Sequence, residues 1–234
     1  MSTKTYDKKT AAFGGYVIQN IPSDLDEDTM DNWMDNPDAL KKFLSGLKPP
    51  EPETVPPKPT PLFSVVATTS IGATGGKKTK KCFISPRYAY RDSDFDNWLP
   101  DNQPKADACA IATLASSRSW TFAEAAAAIL GIGADTDAAL LGKLTKEHGY
   151  TVTLPQVEEM MEKNERGEKT EMRTDGYANF FFVETGDPKN PVSVGHVIRD
   201  ERAWDANVHR LDHAYRWYAD NRLLVRNLKD TSKL

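Results

Sequence analysis

Residues 49–61 read PPEPETVPPKPTP. Proline at this density admits neither a helix interior nor a central strand, because each ring removes an N–H donor and fixes φ. The expected conformation is an extended polyproline II spacer. No clean pair of Pro-x-x-Pro cores flanked by basic residues is present, so the run reads as a spacer rather than a ligand for a proline-binding domain. It separates a short N-terminal segment, 1–48, from everything that follows.

After a brief apolar run at 62–67, residues 68–81 read TTSIGATGGKKTKK. A phosphate-binding loop needs Gly, four residues, then Gly-Lys-Ser/Thr; here Gly72 is followed by three residues before Gly76-Lys77-Lys78-Thr79, so the register fails. A flexible connector is expected instead, and the linker is drawn across 49–81. In the N-terminal segment, Trp33, Met34, Leu40, Phe43, Leu44 and Leu47 recur at helical spacing as one apolar stripe, with Asn36 or Asp38 as a cap near Pro37. A unit this small cannot close its own core, so it docks on the main domain or pairs with a second copy.

The main domain is expected over 82–234. Cys82-Phe83-Ile84 and residues 87–90 read as strand material, and 108–114 as another strand. Between them, Asp92, Asp94, Asp96 and Asn97 resemble the front of a calcium loop, but the glycine and glutamate that complete such a loop are missing. Three helices follow. Thr121-x-x-Glu124 is a capping box and Gly131 a stop; Asp137 opens a second helix with Leu140, Leu141 and Leu144 inward; Thr153-x-x-Gln156 opens a third, with Val157, Met160 and Met161 apolar. His148, in the last turn of its helix, suits the negative end of the dipole better than catalysis.

Strands then dominate. Residues 177–184 form a bulky strand, TGDPKN turns, and 192–199 return as a hairpin partner. The stretch 204–227, WDANVHRLDHAYRWYADNRLLVRN, holds the densest set of recognition residues. Asp205, Asn207 and His209 alternate with Ala206 and Val208, which puts three polar groups on one side of a strand. Beyond them Asp212, His213, Tyr215, Tyr218, Asp220 and Asn221 are held in a frame of Trp204, Leu211 and Trp217, closed by Leu223, Leu224 and Val225. Tyr215, Tyr218, His209 and His213 are the expected anchors; Asp205, Asn207, Asp220 and Asn221 are adaptable hydrogen-bonding groups, and His196 extends the surface. The order of elements is an α+β plan.

The mixture at these positions resembles the variable proteins of diversity-generating retroelements, which display a hypervariable surface near the C-terminus of a C-type lectin fold. In that family, adenine-directed mutagenesis converts asparagine codons into codons for Asp, His, Tyr and Ser. The resemblance implies a C-type lectin-like domain with a variable region at about 196–227, related in fold to formylglycine-generating enzymes. It further implies that the chain binds a protein or glycan ligand and uses no cofactor. This chain has DERAW before the variable stretch and RLLVR at the closing strand, where family members often show Gly-Phe-Arg.

Two other chemistries compete. His209 and His213, four apart, would share a helix face, and with Asp205 or Asp212 could ligate a metal. The extended pattern around them, and the lack of a metalloprotease glutamate, argue for no metal. An enzyme of the formylglycine-generating kind needs active-site cysteines, whereas Cys82 and Cys109 lie well before the terminal sheet and read as reduced, buried thiols. No Ser/His/Asp order or carboxylate pair stands out, so no catalysis is expected. A structural or oligomerisation protein with a merely polar tail is the dullest alternative.

The formal net charge of -4 gives no general attraction to nucleic acid or anionic lipid, and no nucleic-acid partner is expected. No run reaches the roughly 18 apolar residues of a membrane span, and no signal peptide is read at the N-terminus. The chain is therefore expected in the cytoplasm or carried on a cell-surface or virus-like particle, with a homo-oligomer through the N-terminal segment as one arrangement.

Overall fold

The computed structural model describes residues 26–38, 41–42, 61–84, 86–200 and 203–228. The chain divides into two units, 1–58 and 59–234. In the first, helix α1 (Glu27–Asp35) is capped by Asp26, whose carboxylate accepts the Thr29 N–H at 2.7 Å. Asn36 closes α1, and residues 37–38 and 41–42 are helical again. Of the apolar stripe, Trp33 is half-buried; Leu40, Phe43, Leu44 and Leu47 lie outside the described residues, as does most of the proline-rich spacer.

The second unit has an α+β plan built on a seven-stranded sheet in the order β1-β5-β9-β6-β7-β8-β3. Its strands are β1 (Phe63–Ile71), β3 (Tyr88–Arg91), β5 (Cys109–Ser116), β6 (Ala178–Glu184), β7 (Val192–Arg199), β8 (Trp204–Arg210) and β9 (Arg222–Arg226). Neighbours run antiparallel except β3 with β8 and β6 with β9, which are parallel. A separate pair joins β2 (Lys77–Lys78) to β4 (Asn102–Gln103).

The unbroken apolar run of β6 explains the layering, since a strand without alternation must be buried on both faces. Phe180 and Phe182 face one core with helices α3 (Phe122–Leu130) and α4 (Ala138–Glu147). Phe181 and Val183 face the other, with α5 (Leu154–Glu165) and the short helix α2 (Asp94–Trp98). Strand β9 divides the same way, Leu223 and Val225 against Leu224.

Local signals placed the helices. The Thr121/Glu124 box is made in both directions, and Gly131 ends α3 in the left-handed region at φ 68, where a side chain would be strained. Asp137 accepts the N–H groups of Ala139 and Leu140 at the start of α4. On that helix Leu141 is fully buried but Leu140 is 46% exposed, so Leu140 faces out rather than in. At α5, Gln156 Oε1 accepts the Thr153 N–H at 3.0 Å. The Gln156 N–H goes to the Thr153 carbonyl, leaving Thr153 Oγ1 without a partner. His148 Nδ1 lies 2.9 Å from the Leu144 carbonyl, at the helix end where a cation is favoured.

The linker was expected to run to residue 81, and here the structure differs. Residues 63–71 are the edge strand β1, paired along its length with β5, and the supposed connector is ordered by side chains far away in sequence. Lys77 Nζ meets Glu158 at 2.7 Å, and the buried Thr79 hydroxyl bonds the Pro100 carbonyl. The body therefore starts at β1, not at Cys82. Nor is 82–84 a strand: Thr79–Lys81 form a 3-10 turn, and Phe83 follows in a left-handed conformation, φ 58, with its ring buried.

Glu158 holds that conformation, because its second oxygen accepts the Phe83 N–H at 3.0 Å while the side chain is only 16% exposed. Glu158→Ala is expected to cost about 2–3 kcal/mol, from one charge-assisted bond and an orphaned buried donor. Glu158→Gln keeps an acceptor for Phe83 and should lose clearly less. Urea midpoints that are equal for the two variants would contradict this account.

Candidate functional site

Strand β8 has the expected period of two. Trp204, Ala206 and Val208 are buried in the α5-side core, and Asp205, Asn207 and His209 emerge half-buried on the opposite face. Register then decides what they meet. Asn207 lies opposite His196 and His209 opposite Val194 on β7, so the two histidine rings stand side by side, centroids 5.1 Å apart.

The excursion 211–221 folds back over this face. Its centre is tied down by Trp217, whose N–H and carbonyl exchange bonds with Trp120 at 2.7 and 3.0 Å. The Trp217 ring packs on Phe180 at 4.6 Å, on Phe122 at 5.6 Å and on His209 at 5.7 Å. Arg216 reaches across to Glu124 at 3.0 Å and to the Ser119 carbonyl. Burial raises the Glu124 carboxyl, but the Thr121 N–H and the two guanidinium groups of Arg216 and Arg118 outweigh it and hold the carboxyl below its ordinary value. The Ser116 hydroxyl donates to the Ala219 carbonyl.

The outward face carries Asp212, His213, Tyr215, Arg216, Tyr218 and Asp220, all exposed. Tyr215 and Tyr218 are 50% and 62% exposed, and the side-chain hydrogen bond of the Tyr215 hydroxyl with Tyr218 lifts the Tyr215 phenol above its usual range. Leu211 and Trp204 are buried and Trp217 is half-buried.

Two expected surface residues belong instead to the interior. Asn221 is 3% exposed: its Oδ1 accepts the Ala178 N–H at 2.8 Å and its Nδ2 donates to the Tyr218 carbonyl. Asn221 locks the start of β9 to β6 and is not a ligand-facing group. His196 is 4% exposed beneath Trp217 and Phe180, so it backs the surface without extending it. Asn221→Ala is expected to cost about 1–3 kcal/mol by orphaning a buried N–H, whereas Tyr218→Ala should stay within about 0.5 kcal/mol. Thermal or urea unfolding separates the two.

His196 and His209 are both pushed toward the neutral form. Burial pushes His196 down to about 3, with His209 adding to the effect. Burial also lowers His209, helped by His213 and opposed by Asp92. His196 Nδ1, His209 Nε2 and Trp217 Nε1 are buried without partners. His209 sits on a strand and His213 in the turn after it, so the shared helix face needed for the metal alternative does not form. Among the described residues no three His, Cys, Asp or Glu side chains are grouped to hold a metal ion. The acidic run at 92–97 is used locally: Asp96 pairs with Arg91, Asp92 accepts the Asp94 N–H, and Asp94 accepts from Asn97. Cys82 and Cys109 are free thiols, raised by burial, Cys82 to about 12.

Sequence reasoning passed over Arg216 and Arg210. Arg216 finds its carboxylate 92 residues away on α3, and Arg210 stacks on Trp98 at 4.3 Å; only a strand order could have shown either. No family model, curated protein or solved structure matches the chain. Among the described residues no helix is long and apolar enough to cross a membrane.

Proposed function

We propose that this chain is a ligand-binding protein whose recognition surface is the 211–220 excursion together with the outward side of β8. The carrying observation is the division of labour in that stretch: Trp217 and its backbone pair with Trp120 anchor it, while Tyr215 and Tyr218 stand half or more exposed on the outside. Tyrosines on a held loop offer large contact area with few torsions to freeze, which favours their use as binding anchors. The partner class is a protein or glycan, bound without a cofactor and without catalysis. Burial raises the Cys82 and Cys109 thiols and lowers His196 and His209, so none of these four is tuned as an activated nucleophile.

The finer reading is a variable protein of a diversity-generating retroelement on a C-type lectin-like domain. Support comes from the tolerance pattern: Asp205, Asn207, His209, His213, Tyr215, Tyr218 and Asp220 reach solvent at least in part, so their replacement leaves the cores intact. Asn221 and His196 fall outside that set.

The test is to sequence the coding DNA and its flanks from many cells of the source population. A near-identical repeat, with differences at adenines confined to the seven codons and sparing Trp204, Leu211, Trp217 and Asn221, is the expected result. Constant codons and no repeat would end the retroelement reading. Binding itself is tested by display against glycan and surface-protein panels: Tyr215→Ala with Tyr218→Ala should weaken any captured ligand by at least about tenfold with unfolding unchanged. Undiminished capture would sink the surface assignment.

A further inference from the structure

We propose that a cavity at the far end of β9 from the excursion binds a small organic dianion of the phosphomonoester class. The cavity has a volume of about 340 Å³, within the range of small-ligand pockets. It lies where the connection from β4 to β5, the start of α5, and the last residues of β6 and β9 converge.

Charge is the first argument. Lys105, Lys146 and Arg226 line the cavity, against the single carboxylate of Glu184. Glu184 is already committed, with one oxygen 3.0 Å from Lys146 Nζ and the other accepting the Thr151 hydroxyl at 3.0 Å. Lys105 and Arg226 form no ion pair among the described residues. Two uncompensated cations facing one cavity, in a chain of net charge -4, repel each other and are relieved by an anion.

Unused hydrogen-bonding capacity is the second argument, independent of charge. Arg226 Nε is buried without an acceptor, although the same side chain also bonds the Cys109 thiol, and the hydroxyl of Thr153, a residue 8% exposed, has no acceptor for its proton. A buried donor left without an acceptor is costly, and a ligand that supplies one is favoured. The first backbone N–H of α5 is taken by Gln103 Oε1 at 3.1 Å, so the helix contributes its dipole here and not a bare donor. A tetrahedral oxyanion offers acceptors to a guanidinium, an ammonium and a hydroxyl at once. Its double charge matches the two free cations, where a carboxylate would leave one unmatched. The walls include the aliphatic Val152 and Val183, which suit an apolar body on the phosphate.

The full chain is titrated calorimetrically with phenyl phosphate, benzoate and inorganic phosphate at low salt. Saturable binding of phenyl phosphate is expected, with the other two at least about tenfold weaker and the affinity falling as salt screens the charges. Lys105 is exposed on a loop, so Lys105→Ala folds and should weaken phenyl phosphate about tenfold; Thr153→Val should weaken it less, and Arg226→Lys should retain part of it. Absence of saturation at about 10 mM, well beyond a Kd of 1 mM, would overturn the proposal. So would benzoate or inorganic phosphate binding equally well, or indifference to Lys105→Ala. Failure here leaves the recognition surface untouched, because its test uses different residues and ligands.

Discussion

Gly195→Ala is expected to be the most damaging of the glycine-to-alanine changes among the described residues, costing about 3 kcal/mol or more, at the upper end of overpacking effects. Gly195 sits in β7 directly opposite Phe181 of β6, and the Phe181 ring lies across it. A Cβ there would fall well inside van der Waals contact with two carbons of that ring. The ring has nowhere to go, because Phe181 is fully buried in the α5-side core. Chemical denaturation should show the loss as a lowered midpoint with an unchanged slope. Adding Phe181→Leu to Gly195→Ala should recover at least about 1 kcal/mol relative to the sum of the single changes. Strict additivity would mean that the glycine is needed for some reason other than the ring.

Acidification is the second large effect. His196 has a folded-state value of about 3, driven first by burial and then by His209, against 6.5 for an unperturbed ring. The unfolded chain therefore takes up a proton that the folded chain refuses. The stability held by the neutral ring is complete above pH 6.5 and is lost as pH falls from 6.5 toward 3, at about 1.36 kcal/mol per pH unit, or about 2 kcal/mol by pH 5. His209 is lowered too, so it steepens the same limb. Aromatic neighbours Phe180 and Trp217 offer the charged ring no counter-ion. Unfolding free energies measured from pH 7.5 to 4.5 should fall along this slope, and His196→Gln should flatten it whatever its absolute stability. An equally steep slope in the variant would place the titration elsewhere.

The helices were readable because their signals are local. A threonine three residues before a glutamate satisfies orphan N–H groups wherever it occurs, so α3 starts at Phe122 and stops at Gly131 as read. The alternation along β8 and the 192–199 hairpin partner are local in the same sense. Strand β1 is half legible: its apolar start at 62–67 stands out in the sequence, but its threonine-rich second half reads as connector until β5 supplies a partner. Likewise Lys77 and Thr79 look like linker residues, since Glu158 and Pro100, which order them, are distant in the chain.

At the candidate site, residue type and period are enough to separate inward from outward side chains. Trp204, Leu211 and Trp217 are inward, while Tyr215 and Tyr218 are outward. Composition and period carry that much, because apolar bulk seeks the core and alternation assigns faces. That Asn221 is a structural clamp, that His196 is buried beneath Trp217, and that Lys105 and Arg226 share a cavity all follow from the sheet order, in which β9 inserts between β5 and β6 while β8 closes on β7. Whether a polar side chain faces water, a neighbour or a void depends on that strand order, which no local pattern encodes.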